Sequence, residues 1–374
     1  MLKRICYVDE DGRFGGPQQR MLLIASELKK KNSEIEIIIP KDETQIFKNK
    51  LIKQNIKFHE LSLTRLSLKP SFLIKYFIFF FYEIIKLAIF FKKQKYDLIQ
   101  ANSTPQFKAV IAAFILRLEI VWVIEDSYFP SIIVLIFRFL SNLTNCKIIY
   151  TSQRVYNFYF KEKKVLNNKV KEIFAPVDMT KFDPDQNFSV PDYIDQNRTI
   201  ITTVASMVPV KGLEYFVEAA EKIHDKNRNT SFIIAGPEIS SQREYSKKIK
   251  LMLQDKEYIN YIGMCDNVPE LLANSNLFIC SSISEAGPLT VYEAMSMKIP
   301  VVTTDVGASR QIIENFNSGI IVPIKNSFEL YKAADKILNN KNLRENISKN
   351  AFIFSKNFFS LDKISKKYME FYNN

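Results

Sequence analysis

Short apolar runs alternate with amphipathic stretches along this chain, the pattern of strands separated by helices. "RICYV" (4–8) reads as a first strand, followed by the loop "DEDGRFGGPQQR" and the helix "MLLIASELKKK". "EIEIIIP", "KFHEL", "DLIQ", "IVWVIED" and "KIIYTS" continue the strands, with helices expected near 72–93, 105–117 and 131–142 and a basic helix before "VKEIFAPVD". After a Pro/Asp/Asn-rich stretch at 183–198 the alternation restarts with "TIITTVASM", "SFIIAG", "YINYIG", "LFICSS", "PVVTTD" and "GIIVP". Strands so continuously apolar belong to parallel sheets covered by helices on both faces. The expected class is α/β, with two doubly wound, Rossmann-like parallel-sheet domains. The first is expected over 1–180, a linker over 181–198, the second domain over 199–355, and a closing helix over 356–374 packing back toward the first. Such sheets bind ligands outside the C-terminal ends of their strands, near the point where strand order reverses. A cleft between two facing domains is therefore the expected site.

Length agrees with two cores, since 374 residues exceed one ordinary core. A hydrophobic content of 47% with 25% charged residues describes a globular chain. The net charge of +12 points to an anionic partner: nucleic acid, a membrane surface or a phosphate-bearing small molecule. Cys6, Cys146, Cys265 and Cys280 are scattered in apolar segments and read as buried free thiols, as in a reducing cytosol. With only His59 and His224, neither beside a ligand set, a zinc site or a Ser-His-Asp triad has almost no material. The first residues lack the apolar core of a signal peptide, so a cytoplasmic protein is expected.

"FLIKYFIFFFYEIIKLAIFFKK" (72–93) is long enough to be tested as a membrane span. Lys75, Tyr82, Lys86 and Lys93 fall within roughly 40° on a helical wheel, one polar stripe on an otherwise apolar helix. Charges inside the span disfavour crossing. The expectation is a buried domain helix, with a helix lying in the interface of an anionic membrane as the alternative.

Three loops of the second half carry candidate chemistry. In "VASMVPVKGLEYFVEAA" Lys211 and Gly212 stand between a strand and a helix, where a lysine and free helix amides can neutralise phosphate; a surface lysine in a turn is the plainer reading. Gly236 ends the strand of "IIAGPE" and allows a tight turn or close backbone approach. In "SEAGPLTVYEAM" Gly287 lets the chain turn, Glu285 can accept hydrogen bonds from hydroxyls, and Glu293 is placed on the first helical turn, where a dipole or capping role competes with ligand binding. A glycosidase-type acid pair is possible chemistry for the two carboxylates but suits this domain type poorly.

Taken in order, "VASMVPVKGLEYFVEAA", "FIIAGPE", "YIGMCDNVPELLANSNLFICSSISEAGPLTVYEAMSMKIPVVTTDVGASRQII" and "GIIVP" resemble the family-four retaining glycosyltransferases of the GT-B fold. "EIFAPVDMTKFDP" resembles that family's interdomain junction, and "FGGPQQRMLLIASELKKK" its N-terminal glycine loop and first helix. The resemblance covers the chain in order, densely in the second half and more loosely in the first. It implies transfer of a sugar, with retention, from a UDP- or GDP-linked donor to a glycan acceptor such as a lipid-linked oligosaccharide, lipopolysaccharide or capsule precursor. By position, Glu293 would bind the ribose, Glu285 the donor sugar, the backbone at Gly287, Leu289 and Thr290 the sugar and diphosphate, and Lys211 the departing diphosphate. Gly15 and Gly16 would admit the phosphates or acceptor close to the first loop. No metal and no cofactor are implied, and "DPD" (183–185) reads as a turn. Nucleic acid drops out as a partner, and a peripheral place on the cytoplasmic membrane face is expected.

The sequence also departs from that family. Ala205 and Ser206 occupy the donor-loop positions where Gly-Arg is usual, halving the cationic clamp unless Arg310 or a basic residue of the first domain substitutes. Gln100 and Asn102 replace a His-x-His, and Glu125 stands beside Asp126 where a histidine is usual. Pro288 removes one amide donor. Glu125 and Asp126 are candidates for orienting acceptor or sugar, with helix N-capping as the alternative. These departures leave open a relative that binds a nucleotide sugar or a partner enzyme without turnover, and, further off, a nucleotide-sugar epimerase.

Overall fold

The computed structural model describes residues 3–41, 44–67, 69–161 and 169–373. The chain divides into two compact units, one comprising 1–176 and 361–374, the other 177–360. The first crossing falls inside "EIFAPVDMTKFDP", so 181–198, expected as a linker, belongs to the second unit. The closing helix begins at Leu361, and residues 356–358 end the preceding helix instead.

In unit 1 the chain runs β1 (Arg4–Val8), α1 (Gly16–Lys30), β2 (Glu34–Pro40), α2 (Gln45–Lys53), β3 (Lys57–Leu61), α3 (Pro70–Gln94) and β4 (Leu98–Asn102). It continues with α4 (Phe107–Ile115), β5 (Glu119–Ile124), α5 (Ser131–Thr144), β6 (Lys147–Tyr150), α6 (Gln153–Phe160) and β7 (Val170–Glu172). The seven strands form one sheet in the order β3-β2-β1-β4-β5-β6-β7, parallel throughout. Strand order therefore reverses between β1 and β4. Both strands are almost wholly buried, which is why their sequences carry no alternation of polar and apolar residues.

Unit 2 holds β8 (Thr199–Val204), α7 (Leu213–Lys226), β9 (Thr230–Ala235), α8 (Arg243–Leu253), β10 (Ile259–Gly263), α9 (Val268–Ala273) and β11 (Leu277–Cys280). Then follow α10 (Leu289–Ser296), β12 (Val301–Thr304), α11 (Ser309–Phe316), β13 (Ile320–Val322), α12 (Ser327–Leu338) and α13 (Lys341–Phe358). Its sheet is parallel in the order β10-β9-β8-β11-β12-β13, with the reversal between β8 and β11. Phe216, Phe232, Leu277 and Ile279 lie at the centre of its core.

The last helix, α14 (Leu361–Asn373), returns to unit 1 and packs on α1. Its Tyr372 hydroxyl donates to Gln100 Oε1 and shares a 2.8 Å hydrogen bond with the Tyr7 hydroxyl. These phenols are buried, and without Tyr372 the Tyr7 hydroxyl would lose this bond at a cost of about 1–3 kcal/mol.

Two expectations change here. Cys6, Cys146 and Cys280 are buried, but Cys265 is half-exposed beside the partly covered end of β10. The larger change concerns α3, which is not a buried helix. Tyr76, Ile84, Leu87 and Phe91 face the core, whereas Ile78, Phe81 and Ile89 are 67%, 76% and 64% exposed. A helix resting on one neighbouring layer can bury only one stripe, and this one is apolar almost all round. Among the described residues, no helix is long and apolar enough to cross a membrane.

Candidate functional site

In unit 2 the loops after β8 and β11 flank the point where strand order reverses, and they are stitched together. Ile283 N donates to Val210 O at 2.8 Å, and the Ser281 hydroxyl to Lys211 O at 3.1 Å. Across this seam Lys211 Nζ forms an ion pair with Glu285 Oε1, which also accepts from the Ser282 hydroxyl at 2.9 Å. Burial works against the ammonium charge, but Glu285 beside it prevails and holds Lys211 above its usual value.

Two glycines permit this closeness. Gly212 has φ +58°, and a Cβ there would lie 2.4 Å from Ser281 O. Gly236 has φ +150°, and a Cβ there would lie 2.1 Å from Ala205 O and 2.9 Å from Ser206 N. Gly236 thus brings the end of β9 against the Ser206 loop. Gly287 is different: its φ is not left-handed, and its Cβ would come 3.3 Å from the Tyr292 hydroxyl. The turn is made from the other side, where Gly307, at φ +53°, lies against Ala286 O.

Helix α10 starts directly after this loop. The Pro288 carbonyl accepts from Val291 N and Tyr292 N, so the amides of Leu289 and Thr290 precede the first helical hydrogen bond. They form the positive end of α10, which starts four residues beyond Glu285. Glu293 is the fifth residue of α10, not a first-turn residue, which removes the dipole and capping readings. Burial pushes its carboxyl up to about 7, opposed by Lys181. A carboxyl shifted this far, with only Lys181 opposing, makes Glu293 a candidate functional residue.

Arg310 does not supply the missing cation. Its guanidinium is held by Asp305 at 2.6 Å and by Glu314. The "DPD" segment forms a turn in which Asp183 Oδ1 accepts from Asp185 N at 3.0 Å, while Asp185 pairs with Lys298 at 2.9 Å.

In unit 1 the corresponding loops follow β1, β4 and β5. Gly15 caps α1 in an extended conformation and donates to Gln18 Oε1 at 3.0 Å; Gly16 opens the helix. Gln18 in turn donates to buried Asp9 at 2.7 Å. The Glu125 side chain, 8% exposed, accepts from Arg20 at 3.3 Å, and Arg20 also donates to the Tyr368 hydroxyl at 2.6 Å and to Ile173 O. Its acidity is weakened by burial and partly restored by Arg20. This partnership makes Glu125 a poor candidate for a free substrate ligand. Asp126 accepts from the Thr104 hydroxyl at 3.2 Å and from the Tyr159 hydroxyl; burial outweighs these bonds and raises its carboxyl to about 7. Neither acid caps a helix, because Pro130 is the N-cap of α5.

Sequence reasoning missed Asp9, Arg20 and the buried Glu10–Lys108–Glu83 cluster. Lys108 is fully buried, 3.0 Å from Glu10 and 2.5 Å from Glu83. Only a buried-looking lysine within "FKAVIAAF" hinted at it.

Residues 186–353 match the model of the family described as glycosyl transferases group 1. This region is similar to glycosyl transferases group 1 domains. The matched stretch contains Ser206, Lys211, Gly236, Glu285 and Glu293. The chain is 29% identical to the alpha-D-kanosaminyltransferase of Streptomyces kanamyceticus over 41% of its length, spanning 40% of that relative. It is 24% identical to the N,N'-diacetylbacillosaminyl-diphospho-undecaprenol alpha-1,3-N-acetylgalactosaminyltransferase of Campylobacter jejuni, over 95% of this chain and 94% of that one. Among solved structures, Anabaena HepE in complex with UDP-glucose aligns over 98% of each chain with a TM-score of 0.81 at 19% identity. The matched region and its companion unit thus have the GT-B fold.

Proposed function

We propose that the chain is a retaining glycosyltransferase that moves a sugar from a UDP- or GDP-linked donor to a glycan or lipid-linked acceptor without a metal. The observation that carries this reading is the Lys211–Glu285 pair together with the open amides of α10, at the strand reversal of unit 2. There Lys211 and the helix end would take the diphosphate, Glu293 the ribose and Glu285 the sugar hydroxyls. An arriving diphosphate would draw Lys211 away from Glu285, freeing that carboxylate for the sugar. The lysine charge would then stabilise the leaving group as the glycosidic bond breaks. The relatives named for diphospho-undecaprenol substrates support a lipid-linked acceptor.

The test is release of nucleoside diphosphate from a panel of UDP- and GDP-sugars with membrane extract as acceptor, with and without chelator. Turnover with one donor, unaffected by chelator, is expected. A specific observation favours a second reading, binding without turnover: Ser206 replaces the usual arginine while Arg310 is engaged by Asp305 and Glu314. UDP binding that depends on Glu293, with no turnover of any donor, would establish that reading instead.

A further inference from the structure

More than half of the large hydrophobic side chains exposed on the described residues lie on three helices of unit 1: α3, α4 and α5. These helices are neighbours, α3 packing on α4 and α4 on α5. On α3 the outward stripe is Ile74, Ile78, Phe81, Ile85 and Ile89, each at least 59% exposed. On α5 it is Ile132, Leu135, Phe139 and Leu143, a helical spacing directed away from the buried Val134, Phe137 and Ser141. Ile115, 60% exposed, ends α4 between them. Both long helices therefore carry apolar side chains on the outer face as well as the inner one. On α3 the inner side even holds a charge, Glu83, paired with Lys108. A face of this extent is not what a solitary soluble surface carries.

We propose that α3, α4 and α5 together form an in-plane docking surface for an anionic lipid leaflet. The charges choose the occupant. Lys75, Lys86 and Lys93 run along one edge of the α3 stripe, and Lys92 and Lys95 cluster at its end. The single acidic side chain on the three helices is Glu83, which is buried, so no exposed carboxylate opposes a negative surface. A second copy of the chain would bring the same lysines against one another without neutralisation. Anionic headgroups neutralise them while the apolar stripes enter the acyl boundary. At 25 residues α3 is about 37 Å long and lies along the surface instead of crossing it. The proposal deepens the transferase reading by naming where a lipid-linked acceptor is met, yet it is tested without donor or turnover.

The full chain is sedimented with phosphatidylcholine vesicles, with or without phosphatidylglycerol. Salt-sensitive binding to the phosphatidylglycerol vesicles is expected. Ile78→Ser/Ile85→Ser/Phe139→Ser should weaken binding on the order of ten-fold or more. Lys75→Glu/Lys86→Glu/Lys93→Glu should abolish the preference for anionic vesicles, while Ile52→Ser, exposed on α2, should bind as wild type. The substituted positions are at the surface, and circular dichroism verifies that each variant is folded. Absence of wild-type binding, or equal binding by the apolar variant, overturns the proposal. So does a wild-type dimer that ignores vesicles and that the apolar variant dissolves.

Discussion

Lys211 and Glu285 are 74 residues apart in sequence, yet form one ion pair across the strand reversal of the second sheet. Each stands on a loop whose backbone is bonded to the other, so the pair is part of the loop seam and not an incidental surface contact. Lys211→Ala is expected to lower kcat about 10²–10³-fold once a donor is identified, with a smaller effect on UDP affinity. Glu285→Gln should retain more leaving-group stabilisation and lose mainly discrimination between donor sugars. Steady-state kinetics on both variants check this.

Glu293 titrates near 7 in the folded protein, above the value near 4.5 of a free glutamate. The folded state then holds more protons than the unfolded chain, so this group's contribution is fully present below pH 4.5 and is lost as pH rises through about 7. Glu293→Gln should therefore gain stability relative to wild type between pH 5 and 8, by on the order of 2 kcal/mol. The same variant should lose UDP affinity at neutral pH. Thermal melts across that range and calorimetric UDP titration measure the two effects.

Gly212→Ala places a Cβ 2.4 Å from Ser281 O in a left-handed backbone. The expected cost is about 1–3 kcal/mol of stability. Because Lys211 is adjacent, donor turnover should fall as well, whereas Gly15→Ala, whose Cβ would meet Gln18 at an ordinary 3.5 Å, should leave stability within about 0.5 kcal/mol. Urea denaturation of the two variants separates a strained position from a tolerant one.

Lys108→Met strands Glu10 and Glu83 in the interior of unit 1. Removing the shared cation is expected to cost about 3–5 kcal/mol. Adding Glu83→Leu and Glu10→Gln to that variant should recover part of the loss, since the buried charges are then gone together. Denaturation of the single and triple variants reads this directly.

The doubly wound architecture was legible because buried parallel strands must be apolar on both faces, and runs such as Leu277–Cys280 or Ile37–Ile39 have no other economical use. Helices α2, α11, α12 and α13 escaped the reading; in α12, for one, polar residues resemble loop composition until the buried positions Leu330, Ala334 and Ile337 are seen to lie on one side. The loops that carry Lys211 and Glu285 were legible, because each lies just beyond a strand, but the position of Glu293 was read one turn too early in α10. The pairing of Glu125 was not legible. Its partner Arg20 lies 105 residues away, and no local pattern announces a pair made by two distant strands and helices. Burial of α3 was misread for the converse reason: hydrophobicity gives the preference to leave water, but not which apolar phase receives the side chain.

Helix α14 gives the order of synthesis a consequence. The sheet of unit 1 leaves the ribosome first, but Tyr372 and Tyr368, which satisfy Tyr7, Gln100 and Arg20, emerge only after all of unit 2. During translation the older half of the molecule therefore waits, incomplete, for the younger one. A premature stop after unit 2 would leave the sheet of unit 2 whole and injure the domain made earliest.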